Sequence, residues 1–296
     1  GVMANQPRSL VGQVIAITGG ARGIGRATAT TLVREGAKVA IGDLDHSAAE
    51  QTAAEIGGGA IGLPLDVTDK ASFEAYIDAV EAKLGPVDVL INNAGIMLLG
   101  DFFDEDLELS RRQIEINLWG VLLGSQIAGR RFRRRGRGHL VNVASMAGKS
   151  GFPGAATYCA TKHAVVGLSE SMRGELRGSG VEVSCVMPVI VNTELAAGLG
   201  SARFVKNVDA QDVANEIIDA LKNPRFDVYV PRSNAALVRV TAVMPRSAAE
   251  AANRLFRADK VLTEVDDKAR LDYQRRATGG IGSGGKTPTI GSGDES

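Results

Sequence analysis

Tyr158 and Lys162 stand four residues apart in Thr157-Tyr158-Cys159-Ala160-Thr161-Lys162-His163-Ala164, and Ser145 precedes the tyrosine by 13 residues. The segment opens an apolar-striped stretch running to about Arg177, whose spacing predicts a helix. Residues four apart on a helix share a face, so phenol and amine are neighbours. A phenol, with an ordinary pKa of about 10, is a poor base at neutral pH. Positive charge beside it favours the phenolate and brings it toward the range where proton transfer is effective. Ser145 ends the apolar run His139 to Ala144, which reads as a strand, so its hydroxyl emerges at the carboxyl edge of a sheet and can hold a reacting oxygen. Each residue alone has a plainer reading: a buried tyrosine, a surface lysine, a serine capping the next turn. Their joint spacing favours the chemical one.

A second block must sit beside the first for that chemistry to have an object. Thr18-Gly19-Gly20-Ala21-Arg22-Gly23-Ile24-Gly25 follows the apolar run Gln13 to Thr18 and precedes helical spacing from Ile24 to Glu35. A helix beginning there points unpaired N–H groups and a positive dipole end at whatever fills the turn, and phosphate is the natural guest. Gly19, Gly23 and Gly25 let the backbone turn tightly, approach a ligand and pack against the sheet. Ligand-free tight turns use the same residues, so the turn alone is an even choice.

The next apolar run, Lys38 to Asp43, reads as a second strand, and Asp43 lies 18 residues beyond Gly25, where a carboxylate grips an adenosine ribose through its hydroxyls. The same carboxylate repels a 2′-phosphate, which selects NAD over NADP. Arg22 argues the other way if it reaches a 2′-phosphate, and is otherwise a solvated loop residue.

With these residues the chain resembles the short-chain dehydrogenase/reductase family over roughly Leu10 to Val230. Thr18 to Gly25 matches the family's cofactor turn, with Arg22 and Ile24 inside it. Asn92-Asn93-Ala94-Gly95 matches its strand-four motif, and Asn117, Ser145, Tyr158 and Lys162 match its catalytic set. The resemblance implies a hydride transfer between a nicotinamide and a carbinol or carbonyl carbon. In it Tyr158 moves the hydroxyl proton, Ser145 positions the oxygen, and Lys162 tunes the phenol and binds the nicotinamide ribose. Asn117 would distort its helix and anchor a water in a relay through Lys162. Asp66 would face the adenine and Thr193 the nicotinamide carboxamide, with Val67, Asn93, Ala94, Gly95 and Pro188 among the other cofactor-binding residues. The sequence departs from the family at Val189, where glycine is usual after the proline, and at Thr161, where serine is commoner.

The resemblance places the substrate pocket after the Asn-Asn-Ala-Gly motif and after the serine. Those residues are Ile96, Met97, Leu98, Met146 and Ala147, with Phe152 and Val189 beyond. This apolar lining implies a lipophilic secondary alcohol or ketone, such as a steroid-, retinoid- or fatty-chain-like compound. Two alternatives stay open: an NADPH-dependent 3-oxoacyl or ketone reductase, and a non-catalytic dinucleotide sensor that binds a partner protein. The family also implies a homotetramer or homodimer.

The elements that must position these residues alternate. Strand patterns near 13–18, 38–43, 60–65, 87–92, 138–145, 181–187 and 227–230 are separated by helical stretches, one of them near 209–222 and capped by Asp209. This predicts an α/β fold: a single doubly wound Rossmann-like domain over 8–235, with a parallel sheet of about seven strands and helices on both faces. A helical C-terminal extension over 236–277 and a mobile Gly- and Ser-rich tail over 278–296 follow.

A chain of 296 residues, 44% hydrophobic and with zero formal charge, can bury one large core and gives no general reason to seek nucleic acid or an anionic membrane. Six arginines between Arg130 and Arg137 read as the end of a long helix, where cations suit the dipole. In the extension, Arg232, Arg239 and Arg246 recur beside apolar residues, a segment that could cover the substrate cleft, pack on another subunit or touch a membrane; the first two rank well above the third. Cys159 and Cys185 do not suggest a structural disulfide, which fits a reducing cytoplasm. No run of about 18 apolar residues and no signal peptide is found, and the three histidines lack metal-ligand spacing.

Overall fold

The computed structural model describes residues 6–196, 208–245, 247, 273–274 and 276–277. Strand and helix alternate as β1 (Val14–Thr18), α1 (Gly23–Arg34), β2 (Lys38–Asp43), α2 (His46–Ile56), β3 (Ile61–Pro64), α3 (Lys70–Leu84) and β4 (Val89–Asn92). Then come α4 (Leu107–Ile114), a π turn at Glu115–Trp119, α5 (Gly120–Arg135), β5 (Gly138–Val143), α6 (Ala156–Glu175) and β6 (Val181–Pro188). The chain continues through β7 (Val191–Asn192), β8 (Val208–Asp209), α7 (Ala210–Lys222), β9 (Asp227–Val230) and α8 (Asn234–Val243).

Seven strands form one sheet in the order β3-β2-β1-β4-β5-β6-β9, all parallel, as the alternation requires. The chain builds outward from β1 to β3 and then returns to start the other half at β4. The order therefore reverses between β1 and β4, and the crevice outside their carboxyl ends is where ligands bind in such sheets. The two-stranded ladder of β7 and β8 is an addition that the sequence pattern did not announce, because two-residue strands carry no periodicity.

Strand pleating separates the core into two layers. Along β1, Ile15 and Ile17 face a cluster with Ala29 and Leu32 of α1 and Val213, Ile217 and Leu221 of α7. Val14 and Ala16 face Phe73 and Ile77 of α3 and Leu123 and Phe132 of α5. The helix over Ala210–Lys222 starts as expected: Asp209 and Asp212 form a reciprocal capping box. Strand β5 stops at Val143, although the Ala144 N–H still donates to the Val186 carbonyl, at 2.8 Å. Ser145 thus stands two residues past the strand rather than at its end. Helix α6 closes at Glu175, two residues before the expected Arg177.

The arginine run is the end of α5. Gly136 caps it in the left-handed conformation at φ 68°. Arg131 is paired with Asp78 and Glu81 of α3, at 2.6 and 2.7 Å, and the Arg135 guanidinium lies over the Phe132 ring, 5.5 Å from its centroid. Of the extension, α8 and the helical residues 273, 274, 276 and 277 are described; Arg246 and the 278–296 tail lie outside the described residues. No described helix is long and apolar enough to cross a membrane.

Phe132 is fully buried, and a methyl group placed on Gly138 would lie 2.2 Å from its ring, so this side chain fixes how α5 turns into β5. Phe132→Ala should lower unfolding stability by about 3–5 kcal/mol. The check is a fall in the urea midpoint at constant m value.

Candidate active site

The glycine turn and the β4 corner are joined by one hydroxyl and one amide. Thr18 Oγ1 accepts from the N–H groups of Asn93 and Ala94, both at 3.0 Å, and the Asn93 side chain donates to the carbonyls of Thr18 at 3.1 Å and Gly19 at 3.0 Å. The turn that results has no room for side chains at two points. A Cβ on Gly19, whose φ is +63°, would stand 2.8 Å from Ala94 Cα, and one on Gly25 would stand 2.4 Å from the Gly19 carbonyl. Helix α1 starts from this turn with no side-chain cap and no acidic residue in its first turn, leaving its amides and positive dipole end available for an anion. A pyrophosphate fits that cradle.

Asp43 ends β2 beside it. One carboxylate oxygen accepts from the Ala21 N–H of the turn at 3.2 Å and the other from the Asp45 N–H at 3.1 Å. Arg22 is turned to Asp45, with its guanidinium 2.9 Å from the carboxylate, which holds the Asp45 carboxyl below the usual range together with the Ala48 N–H. The Arg22 side chain is about half exposed beside that partner. Asp66 accepts from the Thr68 N–H and hydroxyl, at 2.9 and 2.6 Å, which shapes the turn carrying Val67. Thr193, after β7, comes to the same mouth: its side chain lies 3.5 Å from where a Gly23 Cβ would be. Pro188 is buried at the end of β6.

Tyr158 and Lys162 share the buried face of α6, with the Lys162 Nζ 5.6 Å from the Tyr158 ring centroid. Nζ donates to the Val143 carbonyl at 3.0 Å, where β5 ends. Ser145 follows two residues on, and its Oγ accepts from the Ala147 N–H at 3.1 Å, so the serine caps a short turn. That turn presses against α6, since a Cβ on Gly148 would lie 2.7 Å from the Lys162 carbonyl oxygen. Tyr158 and Lys162 are thereby held against the end of β5, with Ser145 in the turn that follows.

Asn117 lies in the π turn, the helix distortion expected of it. Its Oδ1 accepts from the Ile96 N–H and its Nδ2 donates to the Ile96 carbonyl, both at 2.8 Å, with a further bond to Thr161 Oγ1 at 3.3 Å. Thr161 in turn donates to the Tyr158 carbonyl at 2.7 Å, a bond that the commoner serine would make with the same hydroxyl. Gly95 sits between: a Cβ there would be 3.4 Å from Asn117 Oδ1 and 3.7 Å from Lys162 Nζ. Beneath the site, a buried polar chain runs from Asn92 to Asn142 at 2.9 Å and on to Ser169 at 3.0 Å, tying β4, β5 and α6.

The expected lining divides. The chain after Gly95 alternates, so Ile96 and Leu98 enter the α3/α5 core while Met97 joins Ala147, Ala155, Tyr158 and Cys159, with Leu99 and Phe152 packed on them. Met146 packs instead with Val121, Ala144 and Val165, because the turn after Ser145 points Ala147 to the tyrosine. Val189 packs on the α1/α7 core, its N–H being held by the Val230 carbonyl. Ile190 and Leu195 take up the tyrosine side. Sequence reading missed these two and Leu99, and missed Tyr273, whose hydroxyl accepts from the Met97 N–H at 3.0 Å. A regular alternation counted from Gly95 would have found Leu99; nothing local marks Tyr273.

Comparison with known proteins agrees with this geometry. A family model described as short chain dehydrogenase matches residues 13–203. The chain is similar to a probable oxidoreductase, EphD, of Mycobacterium tuberculosis, 38% identical over 200 residues, covering 66% of this chain and 34% of that protein. It thus spans about a third of the length of that relative. A 2-(S)-hydroxypropyl-CoM dehydrogenase of Xanthobacter autotrophicus is 42% identical over 194 residues, 64% of this chain and 75% of its own. A crystal structure of a short chain dehydrogenase/reductase from Burkholderia phymatum in complex with NAD superposes with a TM-score of 0.73 at 28% identity, covering 79% of this chain and 94% of that one.

Burial pushes the Lys162 ammonium down from 10.5 to about 8. Between those values the unfolded chain still binds a proton that the folded chain has released, so the burden of burying the charge is lifted as pH rises. In melting curves without cofactor, wild type should therefore gain on Lys162→Met as pH rises from about 8 to about 10.5. A melting difference that stays flat across that window would show that the amine is not desolvated.

Proposed function

The chain belongs to the short chain dehydrogenase family, and we propose that it is an NAD-dependent oxidoreductase moving a hydride between the nicotinamide and a lipophilic secondary alcohol or ketone. The observation that carries this reading is the Tyr158–Lys162 pair, buried on one face of α6 and facing the end of β5. When bound, the nicotinamide supplies the hydride acceptor or donor. The chain's own residues do the rest. The amides opening α1 hold the pyrophosphate, and Asp43 meets the adenosine ribose. Ser145 Oγ positions the substrate oxygen, and Tyr158 Oη takes its proton in oxidation or returns it in reduction. Lys162 keeps positive charge at the face of that phenol in a dry setting, where the interaction is strong. A water held at Asn117, beside the space that Gly95 leaves, passes the proton outward through Lys162.

The lipophilic class rests on the side chains packed round Tyr158: Met97, Leu99, Phe152, Ile190 and Leu195. The preference for NAD rests on Asp43 beside the glycine turn and on Arg22 being paired with Asp45 instead of standing free for a 2′-phosphate. Assembly as a homodimer or homotetramer completes the reading, supported by the exposed apolar side chains of Phe102, Phe103, Leu107 and Trp119. A cytoplasmic setting is supported by two buried, free cysteines.

Tyr158→Phe should bind NAD within about twofold of wild type in a fluorescence titration, yet lose roughly 10²–10⁴ in kcat. Undiminished turnover would remove the phenol from the mechanism. For the cofactor, Asp43→Ala should cut the ratio of kcat/KM for NAD over NADP by about ten- to a hundredfold. An unaltered ratio would undo the ribose assignment.

A further inference from the structure

The backbone after the β4 corner is gripped residue by residue. Asn117 takes both the N–H and the carbonyl of Ile96, and Gln113 Oε1 accepts from the Leu98 N–H at 2.8 Å. Both side chains come from α4 and its π turn. Extended backbone points successive N–H groups to opposite sides, so the Met97 N–H faces the other way. The partner of that N–H is the Tyr273 hydroxyl, at 3.0 Å, supplied by a residue 176 positions further along the chain, while the Met97 side chain packs with Tyr158.

Tyr273 lies beyond residues 13–203, which the family accounts for. It is 6% exposed and Met97 5%, so the bond is shielded from water. The same short segment touches the opposite lip of the crevice. Arg276 reaches Glu194 at 3.8 Å, in the turn Glu194–Ala196 whose Leu195 packs on the Tyr158 cluster. Ala277 packs on the α3/α5 core that contains Leu98. The segment therefore meets both the loop after β4 and the loop after β7.

We propose that Tyr273 is a specificity-determining residue. Its hydroxyl fixes the Met97 backbone, and its ring walls the Met97 side of the pocket, selecting secondary alcohols with an extended apolar substituent over short ones. A tyrosine suits this place because it presents an apolar ring while its polar end satisfies a buried donor. The residue acts by shaping the pocket and takes no part in proton transfer. The inference rests on the oxidoreductase reading above for its substrate class.

The test uses the full chain as wild type, Tyr273→Phe and Tyr273→Ala, with 2-butanol and 2-decanol as substrates and NAD as cofactor. Tyr273→Ala should lower kcat/KM for 2-decanol roughly tenfold, through KM, while kcat and the 2-butanol values stay within about twofold. Tyr273→Phe, which keeps the ring and loses the acceptor, should fall between, and in both variants the Met97 amide should exchange with deuterium faster than in wild type. Calorimetric titration of 2-decanol into the NADH-loaded protein, a complex in which the alcohol cannot be oxidised, reads binding of the long substrate without turnover, and Tyr273→Ala should weaken it by a similar factor. An unchanged 2-decanol to 2-butanol ratio in Tyr273→Ala, or an unchanged titration, overturns the proposal. Failure of the oxidoreductase reading looks different: wild type forms no NADH from any alcohol, and the titration then decides the role of Tyr273 alone.

Discussion

The site depends first on the bond set that welds β1 to β4 at the point where strand order reverses. Thr18 has one hydroxyl and Asn93 one amide, yet together they fix two N–H groups and two carbonyls across the crevice. Such a corner would otherwise leave those groups short of partners inside the fold, a state that costs on the order of 1–3 kcal/mol for each. The cradle for phosphate lies on one side of this weld, and Gly95, Asn117 and Lys162 lie on the other. A shift of either strand end would therefore be felt in binding and in proton transfer at once.

The second requirement is dryness. Lys162 sits among Val143, Gly95 and the α6 backbone with its ammonium desolvated, above the buried chain Asn92–Asn142–Ser169. A buried ammonium is unfavourable in itself. Here its Nζ is held by the Val143 carbonyl at 3.0 Å. Electrostatic influence on the neighbouring phenol is stronger there than it would be at a surface.

Much of this was legible in the residues themselves. Apolar runs of four to eight residues between helical stretches mark all seven strands of the main sheet; in the central strands β1, β4, β5 and β6 this is because a parallel strand buried on both faces has no polar side to show. The glycine turn, Asp43 and the Ser145–Tyr158–Lys162 spacing are local, so sequence distance reports spatial distance. The lining was legible only by half. Met97 and Phe152 reach Tyr158, whereas Met146 and Val189 pack elsewhere, because the direction of a loop side chain depends on backbone turns that no periodicity encodes. Arg22 could not be assigned from sequence, since its partner Asp45 is set by how α2 begins. The Tyr273 contact spans most of the chain and belongs to a region without a family pattern.

The π turn at Glu115–Trp119 has a bearing on which length changes the chain can absorb. One additional residue in a helical rod advances everything after it by about 100° around the axis. Gln113 ahead of the turn and Asn117 within it are aimed at the β4 loop; behind it, Leu123, Ile127 and Phe132 are aimed at the sheet. Trimming a single amino acid to regularise the rod would swing one of those two sets away from its target. The stretch from Leu107 to Arg135 is consequently a poor place for insertions and deletions, which a surface turn such as Gly57–Gly59, with open space at two of its three glycines, can accept.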